Sequence, residues 1–582
     1  VVTHLKWNAK VDFDAKTITA KASWKVDHSG IEVHFDARNL KIQKVTIGKE
    51  DEKEVEYNLG KDIEFLGQDL MVPLEENTEW VNIYYSTTEG ADALQFLDPE
   101  QTKGKKHPFL FTQSQAIMAR TWIPCQDSPG IRFTYDATVE VPKGMLALMS
   151  AENPQQANED GNYTFHMDQP VPSYLFALAV GVMEFKPVGE ITGVYAEPEM
   201  IDKAVYELEL MQDMVDTAAA MYGDYRWGRY DVLILPPSFP FGGMENPRLT
   251  FATPTILAGD RSLTALIAHE LAHSWSGNLV TNATWEDIWL NEGFTVYFEN
   301  RIMEEIYGKE FADMLALLNY RDLQAEVERM GADSPDTRLK VDLKGRNPDE
   351  GLSSIPYDKG SYFLRLLEQT VGRERWDVFL SEYFDEFAFE VMTTDAFLYY
   401  LDQKLLSEDS TWAEKVNVKE WVYGTGIPEN IPVPESVRFQ NTLDEMKAFL
   451  NGASASSLKT QEWMTAEWLN FIHNIPDTVT KEQLTELDKA FGFTNSGNSE
   501  IQSAWFVKSL PKNYAPSFKA SEEFLIRVGR RKFLVPIYKA YLKADTSGEK
   551  ARAVYGKARP NYHAVSIGTI DDLLKWKEKN GE

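Results

Sequence analysis

The sequence predicts an α+β multidomain chain, and three of its features carry that reading. Alternating and β-branched strand patterns dominate the first 180 or so residues, and helical periodicity enters near Asp202. A Pro/Gly-rich stretch then separates off a C-terminal run of successive helices. The length of 582 residues suits three or four domains, at the usual ~100–200 residues each.

In chain order, an N-terminal β-sheet domain is expected over 1–183. Val11–Val26 (VDFDAKTITAKASWKV) reads as two strands about a turn at Asp14–Lys16, and Ile31–Asp36, Val81–Ser86, Phe133–Val141 and Tyr163–His166 continue the pattern. A mixed domain is expected over 184–424, where DKAVYELELMQDMVDTAAAMYG, from Asp202, sets apolar residues at helical spacing up to a stop at Gly223. Gly424–Glu435 holds three prolines and two glycines and marks a linker over 425–436. The remainder, 437–582, reads as a helical domain that includes Thr442–Phe449, Leu458–Phe471 and Glu522–Lys543.

Composition excludes several function classes. With 90 acidic against 59 basic residues, the net charge of -31 cannot neutralise a run of phosphates, which argues against nucleic acid and anionic membranes as partners. A chain with 43% apolar and 12% aromatic residues is too rich in core material to be disordered. No apolar run is long enough for a membrane span. Cys125 stands alone, so an intrachain disulfide, a Cys-based zinc site and a CxxC redox motif are ruled out, and a small buried hydrophobe is its expected role. The start at Val1 rather than Met leaves a removed export segment as one expectation and a cytoplasmic home as another.

The chemistry concentrates in Ala265–Tyr297. His269-Glu270-Leu271-Ala272-His273 is an HExxH segment, with apolar Leu263, Leu266 and Ile267 before it and Gly277 as the expected helix stop. Residues i and i+4 share a helix face, so both imidazoles can reach one tetrahedral ion, while Glu270 is rotated to act on a water beside it. Glu292 follows His273 after eighteen residues, at the start of a second amphipathic helix. Two His and one Glu leave a fourth position open, the pattern of a catalytic rather than a structural zinc site. Glu299, seven residues on, falls on the same helical face; it either orients a ligand His or is a plain exposed carboxylate.

Upstream lies Gly242-Gly243-Met244-Glu245-Asn246. GGMEN followed by HExxH-x18-E resembles the M1 (gluzincin) aminopeptidases. GGMENPRLTF, SSIPYDKG, FTQSQAIMAR and the late GRRKF segment make the likeness strongest to the leukotriene A4 hydrolase branch with its bacterial relatives. The resemblance spans essentially the whole chain. It implies an N-terminal β saddle, a thermolysin-like catalytic domain, a C-terminal helical domain, one bound zinc ion, a monomer and a cytoplasmic location.

It also implies roles residue by residue. Tyr357, in Ile355-Pro356-Tyr357-Asp358, is similar to the family's oxyanion donor. Glu245 corresponds to the anchor for a substrate's free amine, with Gly242, Gly243 and Met244 in the same substrate-binding strand. Charge bookkeeping agrees: zinc with Glu292 and Glu270 is near neutral, so Glu245 would be an unbalanced anion that an α-ammonium offsets. Gln115 is similar to an additional amine-side contact, its alternative being a buried amide that closes a domain interface. Arg530 and Lys532 resemble a clamp for the carboxylate end of short peptides, where arginine gives bidentate recognition and lysine a point charge; the alternative is a solvated charged face.

The expected function is therefore removal of N-terminal residues from di- or tripeptide-sized substrates, with basic or apolar residues preferred. Two other readings stand beside it, an additional epoxide hydrolase activity and an inactive metal-bearing peptide-binding protein. Asp349 aligns with the aspartate used in the epoxide reaction, but also suits an S1 pocket for a basic residue. The tyrosine that the mammalian hydrolase carries five residues before the proton donor is Leu352 here, a departure outside the peptidase machinery.

Overall fold

The computed structural model describes residues 1–577. The N-terminal strand runs over Val2–Asp12, starting well before Val11, because Leu5, Trp7, Ala9 and Val11 alternate inward while their neighbours face solvent. It pairs antiparallel with Thr17–Val26 and parallel with Arg132–Glu140, inside a seven-stranded sheet whose middle strand is Thr17–Val26. Trp7 Nε1 donates to Tyr85 Oη at 2.9 Å, and Tyr85 Oη donates to the Trp122 carbonyl at 2.9 Å, so the aromatic core is satisfied as well as packed. Smaller sheets of four and three strands complete this β-rich domain.

A five-stranded sheet built from Glu184–Pro187, Thr192–Ala196, Tyr230–Ile234, Leu249–Ala252 and the edge pair Gly243–Met244 opens the central domain. The helical stretch expected from Asp202 is split into Ile201–Glu207 and Met211–Tyr222. Behind the sheet stand helices α1 (Ala265–Ala272), α2 (Trp289–Tyr307) and α3 (Lys309–Met330). Residues in the first three turns of α2 are buried on every side, Trp289 to Phe298 without a break, as befits a helix through the domain centre rather than an amphipathic one.

No helix or strand occurs between Tyr423 and Val437, after which the chain is helical. Two helices differ from the sequence expectation. The segment Leu458–Phe471 becomes helical only at Thr465, and Glu522–Lys543 is broken at Val528-Gly529-Arg530 between Ala515–Arg527 and α5 (Arg531–Ala544), the latter packing on α4 (Ser499–Ser509). The break has a tertiary cause. Gly529 N–H donates to the Pro237 carbonyl and Arg531 N–H to the Pro240 carbonyl, both at 2.8 Å, and a Cβ on Gly529 would meet the Ser238 carbonyl at 2.6 Å. This seam aims Arg530 back at the central domain. Cys125 is fully buried. No helix among the described residues is long and apolar enough to cross a membrane.

Candidate active site

A cavity of about 1500 Å³ opens where the central and helical domains meet, with Gln115 reaching it from the β-rich domain. Helix α1 brings His269 and Glu270 to its floor; the helix ends at Ala272, so His273 is its C-cap, and the stop lies before Gly277. Gly277 itself, at φ +114°, turns the chain back where any Cβ would strike Asn291 Oδ1.

His269 Nε2 and His273 Nε2 lie 3.4 and 3.6 Å from the same oxygen, Glu292 Oε2, which is buried without a hydrogen bond. Donors bound tetrahedrally at ~2.0–2.1 Å stand ~3.4 Å apart. The three groups thus fit one zinc ion, and an orphaned carboxylate oxygen is what such an ion would satisfy. The outer nitrogens are held in place as well. His269 Nδ1 lies 3.1 Å from Glu299 Oε2, and His273 Nδ1 lies 3.2 Å from the Ser276 carbonyl and 3.1 Å from Thr295 Oγ1. With Nδ1–H donating outward, each Nε2 keeps a free lone pair toward Glu292.

Glu270 sits under the edge strand. A Cβ on Gly243 would meet Glu270 Oε1 at 2.3 Å, and one on Gly242 would meet Arg530 Nη2 at 2.7 Å, so both glycines are required by close approach. Burial pushes the Glu270 carboxyl up to about 8, with His269 and Arg530 opposing and Glu292 and Glu299 adding to the rise. Tyr357, in the π-helical turn Ile355–Lys359, stacks its ring on His269 with centroids 6.1 Å apart. Burial and the adjacent Glu292 carboxylate hold its phenol well above the ordinary value, so it remains a donor.

Glu245 lies just past the edge strand, 3% exposed, with Oε1 unpartnered and its carboxyl driven up by burial and by Glu292 and Glu270. Gln115 Nε2 is also buried without a partner, on the same cavity. Met244 points away, its sulfur accepting from Gln113 Nε2 at 3.3 Å. Asp349 does not line the cavity; its Oδ1 accepts from the Ala116 N–H at 3.3 Å, next to Gln115. Leu352 does line it.

On the far wall, Arg530 and Lys532 share one oxygen of Glu500, at 3.5 and 2.8 Å. Arg530 also donates to Thr255 Oγ1 at 3.2 Å and is 7% exposed, whereas half of Lys532 is open to solvent. Burial opposes ionisation of Glu500, but Lys532 and Arg530 outweigh it and hold its carboxyl below the usual value. Sequence reasoning missed Glu500, which carries no local signal. It also missed Thr295, although the i, i+3 spacing from Glu292 could have found it.

Residues 1–175 match the peptidase M1 N-terminal domain, 206–421 the peptidase family M1 domain, and 463–574 the leukotriene A4 hydrolase C-terminal domain. The chain is 36% identical to a leukotriene A-4 hydrolase of Xenopus laevis, over 97% of this chain and 96% of the relative. It is 33% identical to leucine aminopeptidase 2 of Pyricularia oryzae, over 98% and 97%. Among solved structures, yeast LTA4 hydrolase in complex with bestatin superposes with a TM-score of 0.90 at 30% identity, covering 99% of this chain and 96% of that one. An M1 zinc metallopeptidase from Deinococcus radiodurans shares the fold at a TM-score of 0.56 and 22% identity, over 75% of this chain and 96% of that one.

Proposed function

The chain belongs to the M1 family of zinc aminopeptidases, and from that premise we propose that it removes the N-terminal residue from short peptides with a free amine. One observation carries the reading: a three-donor metal cluster and an unpaired buried carboxylate, Glu245, face the same cavity. An unpaired buried carboxylate is costly. A substrate ammonium offsets that cost and, in doing so, sets the first peptide bond over the reactive centre.

His269, His273 and Glu292 would hold zinc, which supplies a Lewis acid for the carbonyl and lowers the pKa of a water. Glu270 accepts the proton of the attacking water and returns it to the leaving nitrogen. Tyr357 donates to the developing oxyanion. Glu245 and Gln115 hold the amine, and the strand Gly243–Met244 offers its free edge to the substrate backbone. At the other end, Arg530 and Lys532 hold the terminal carboxylate, which limits substrate length. Asp349 is assigned to supporting the segment that carries Gln115, because its Oδ1 accepts from the adjacent Ala116 N–H.

The test is a panel of aminoacyl anilides and tripeptides, with N-acetylated controls, assayed with chelator and with zinc restored. Turnover of free-amine substrates only, lost with chelator and absent in Glu270→Gln, is expected. Equal turnover of acetylated peptides would overturn the exopeptidase reading. A fatty epoxide in the same assay tests the second activity, suggested by the name of the Xenopus relative.

A further inference from the structure

The ladder of the edge strand pairs Gly243 with Ala252 and Met244 with Phe251, and stops one residue short of Glu245. At Glu245 the support comes from elsewhere: its backbone carbonyl accepts from Asn278 Nδ2 at 2.8 Å. Asn278 lies in the loop between α1 and α2 and is 2% exposed.

The same residue also holds the metal side of the site. Its N–H donates to the His273 carbonyl at 3.0 Å. Asn278 thus grips a zinc-binding residue with its main chain and the amine anchor with its side chain. The two are near neighbours, an oxygen of Glu245 and a ring nitrogen of His273 lying within 4.8 Å of one another. Only the NH2 end of an amide can satisfy a carbonyl, so the bond to Glu245 fixes which way the side chain points. Its Oδ1 is left buried without a partner, a destabilising feature that alanine or serine at this position would not carry.

The loop is itself tied down from the β-rich domain. Arg132, at the start of strand Arg132–Glu140, makes no ion pair among the described residues. Its Nη2 donates instead to the Asn278 carbonyl at 2.7 Å and to the Pro170 carbonyl at 2.6 Å. Its Nη1 donates to Thr281 Oγ1, which donates to the Gly277 carbonyl at 2.6 Å. The loop is therefore a fixed reference for whatever it holds. In an α-amino acyl residue the nitrogen and the carbonyl carbon are two bonds apart. An anchored amine therefore presents that carbonyl to the metal only if the anchor stands at one particular distance from it, and an error of about 1 Å costs ~10²-fold in rate.

We propose that Asn278 is a positioning residue, which through the Glu245 carbonyl sets the amine anchor at the distance from His273 that an α-amine requires. The inference rests on the reading of Glu245 as the amine anchor and adds to it the group that fixes its place.

The experiment measures binding to the zinc-loaded full chain by calorimetry and so does not depend on turnover. The probes are leucine hydroxamate, the amine-free 4-methylpentanohydroxamate, and 3-amino-4-methylpentanohydroxamate, whose amine stands one carbon further from the metal-binding group. The parent is expected to bind the first about tenfold or more tightly than either of the others, the scale of a charged hydrogen bond. Asn278→Ala is expected to reduce both ratios severalfold, with zinc retained and affinity for the amine-free probe unchanged. In a Glu245→Gln background it is expected to change neither ratio. Ratios kept at the parent's values, or equal weakening of all three probes, would overturn the positioning role and leave the anchor standing. Asn278→Ser is a second, milder variant, and failure of both to fold would make Asn278 a folding residue and overturn the role as well. A parent that does not distinguish the first two probes, or a Glu245→Gln variant that still does, overturns the amine-anchor reading and the inference with it.

Discussion

Gly243 leaves no room between its α-carbon and Glu270: the Cβ of any other residue would come within 2.3 Å of Oε1, 2.4 Å of Cδ and 2.5 Å of Cγ. The edge strand therefore acts as a backstop for the proposed general base. Gly243→Ala is expected to displace the carboxylate by the better part of an ångström while leaving the three metal-binding side chains untouched. A misplacement of that size costs ~10²-fold in rate. Retained zinc with kcat down by about two orders of magnitude is the expected result; unchanged kcat would show that the carboxylate position is not limiting.

Tyr357 stacks on His269 and stays protonated. Tyr357→Phe keeps the ring and removes the donor. Loss of one oxyanion donor costs ~10²–10³-fold in kcat, so kcat is expected to fall by that amount with KM little changed. A rise in KM at constant kcat would assign the hydroxyl to substrate binding instead.

Glu299 holds the far side of His269 at 3.1 Å. Removing such a support weakens metal affinity ~10–100-fold. Glu299→Ala is expected to lose zinc at correspondingly lower chelator concentration, and to regain activity when zinc is supplied in excess. Equal chelator sensitivity would return Glu299 to a plain surface role.

Much of this site is legible in the sequence, because it rests on short-range spacing. Positions 269 and 273 are one helical turn apart, and Glu292 and Glu299 share a face of α2. The limits of legibility are tertiary. The break at Gly529 comes from the Pro237–Pro240 backbone pressing on it, and nothing near residue 529 announces that contact; propensity alone runs the helix straight through. Asp349 shows another limit, since counting back from Tyr357 brings it near the site but gives no sign that its Oδ1 accepts from the Ala116 N–H, next to Gln115. The N-terminal strand begins at Val2 rather than Val11: Leu5, Trp7, Ala9 and Val11 alternate inward, and only its first residues depart from regular pairing, at a bulge between Val2 and His4.

Glu500 is the clearest case of a partner no local pattern shows, and it changes what is expected of the clamp. Its single oxygen already engages Arg530 and Lys532, so an arriving carboxylate meets a half-neutralised pair. Glu500→Gln is expected to lower KM severalfold for tripeptides with a free C-terminus and to leave C-terminally amidated peptides unaffected. Arg530→Ala is expected to raise KM for the free acids selectively. If both variants shift free and amidated peptides alike, the cations serve the domain seam rather than the substrate.

Stability carries its own pH signature, at His563. Its ring is 1% exposed and stacks on Phe111 with centroids 5.9 Å apart, tying the helical domain to the β-rich one. Burial pulls its pKa down to about 4, against the Ala93 backbone that opposes the fall. An unfolded histidine titrates near ~6.5, so between that value and about 4 the unfolded chain binds the extra proton. Stability is therefore intact above pH ~6.5 and is lost as the pH drops toward 4, by about 2 kcal/mol at pH 5. That corresponds to ~4–8 °C in Tm for a unit of this size. His563→Asn keeps a side-chain acceptor for the Val565 N–H, which His563 Nδ1 accepts at 3.2 Å, and cannot titrate. Lost stacking makes the variant less stable at pH 7. Its further fall in Tm between pH 7 and 5, at fixed scan rate, is expected to be smaller than the parent's by several degrees. The difference between the two slopes isolates His563 from the many carboxylates that titrate over the same range, and equal slopes would remove it as the acid-sensitive joint.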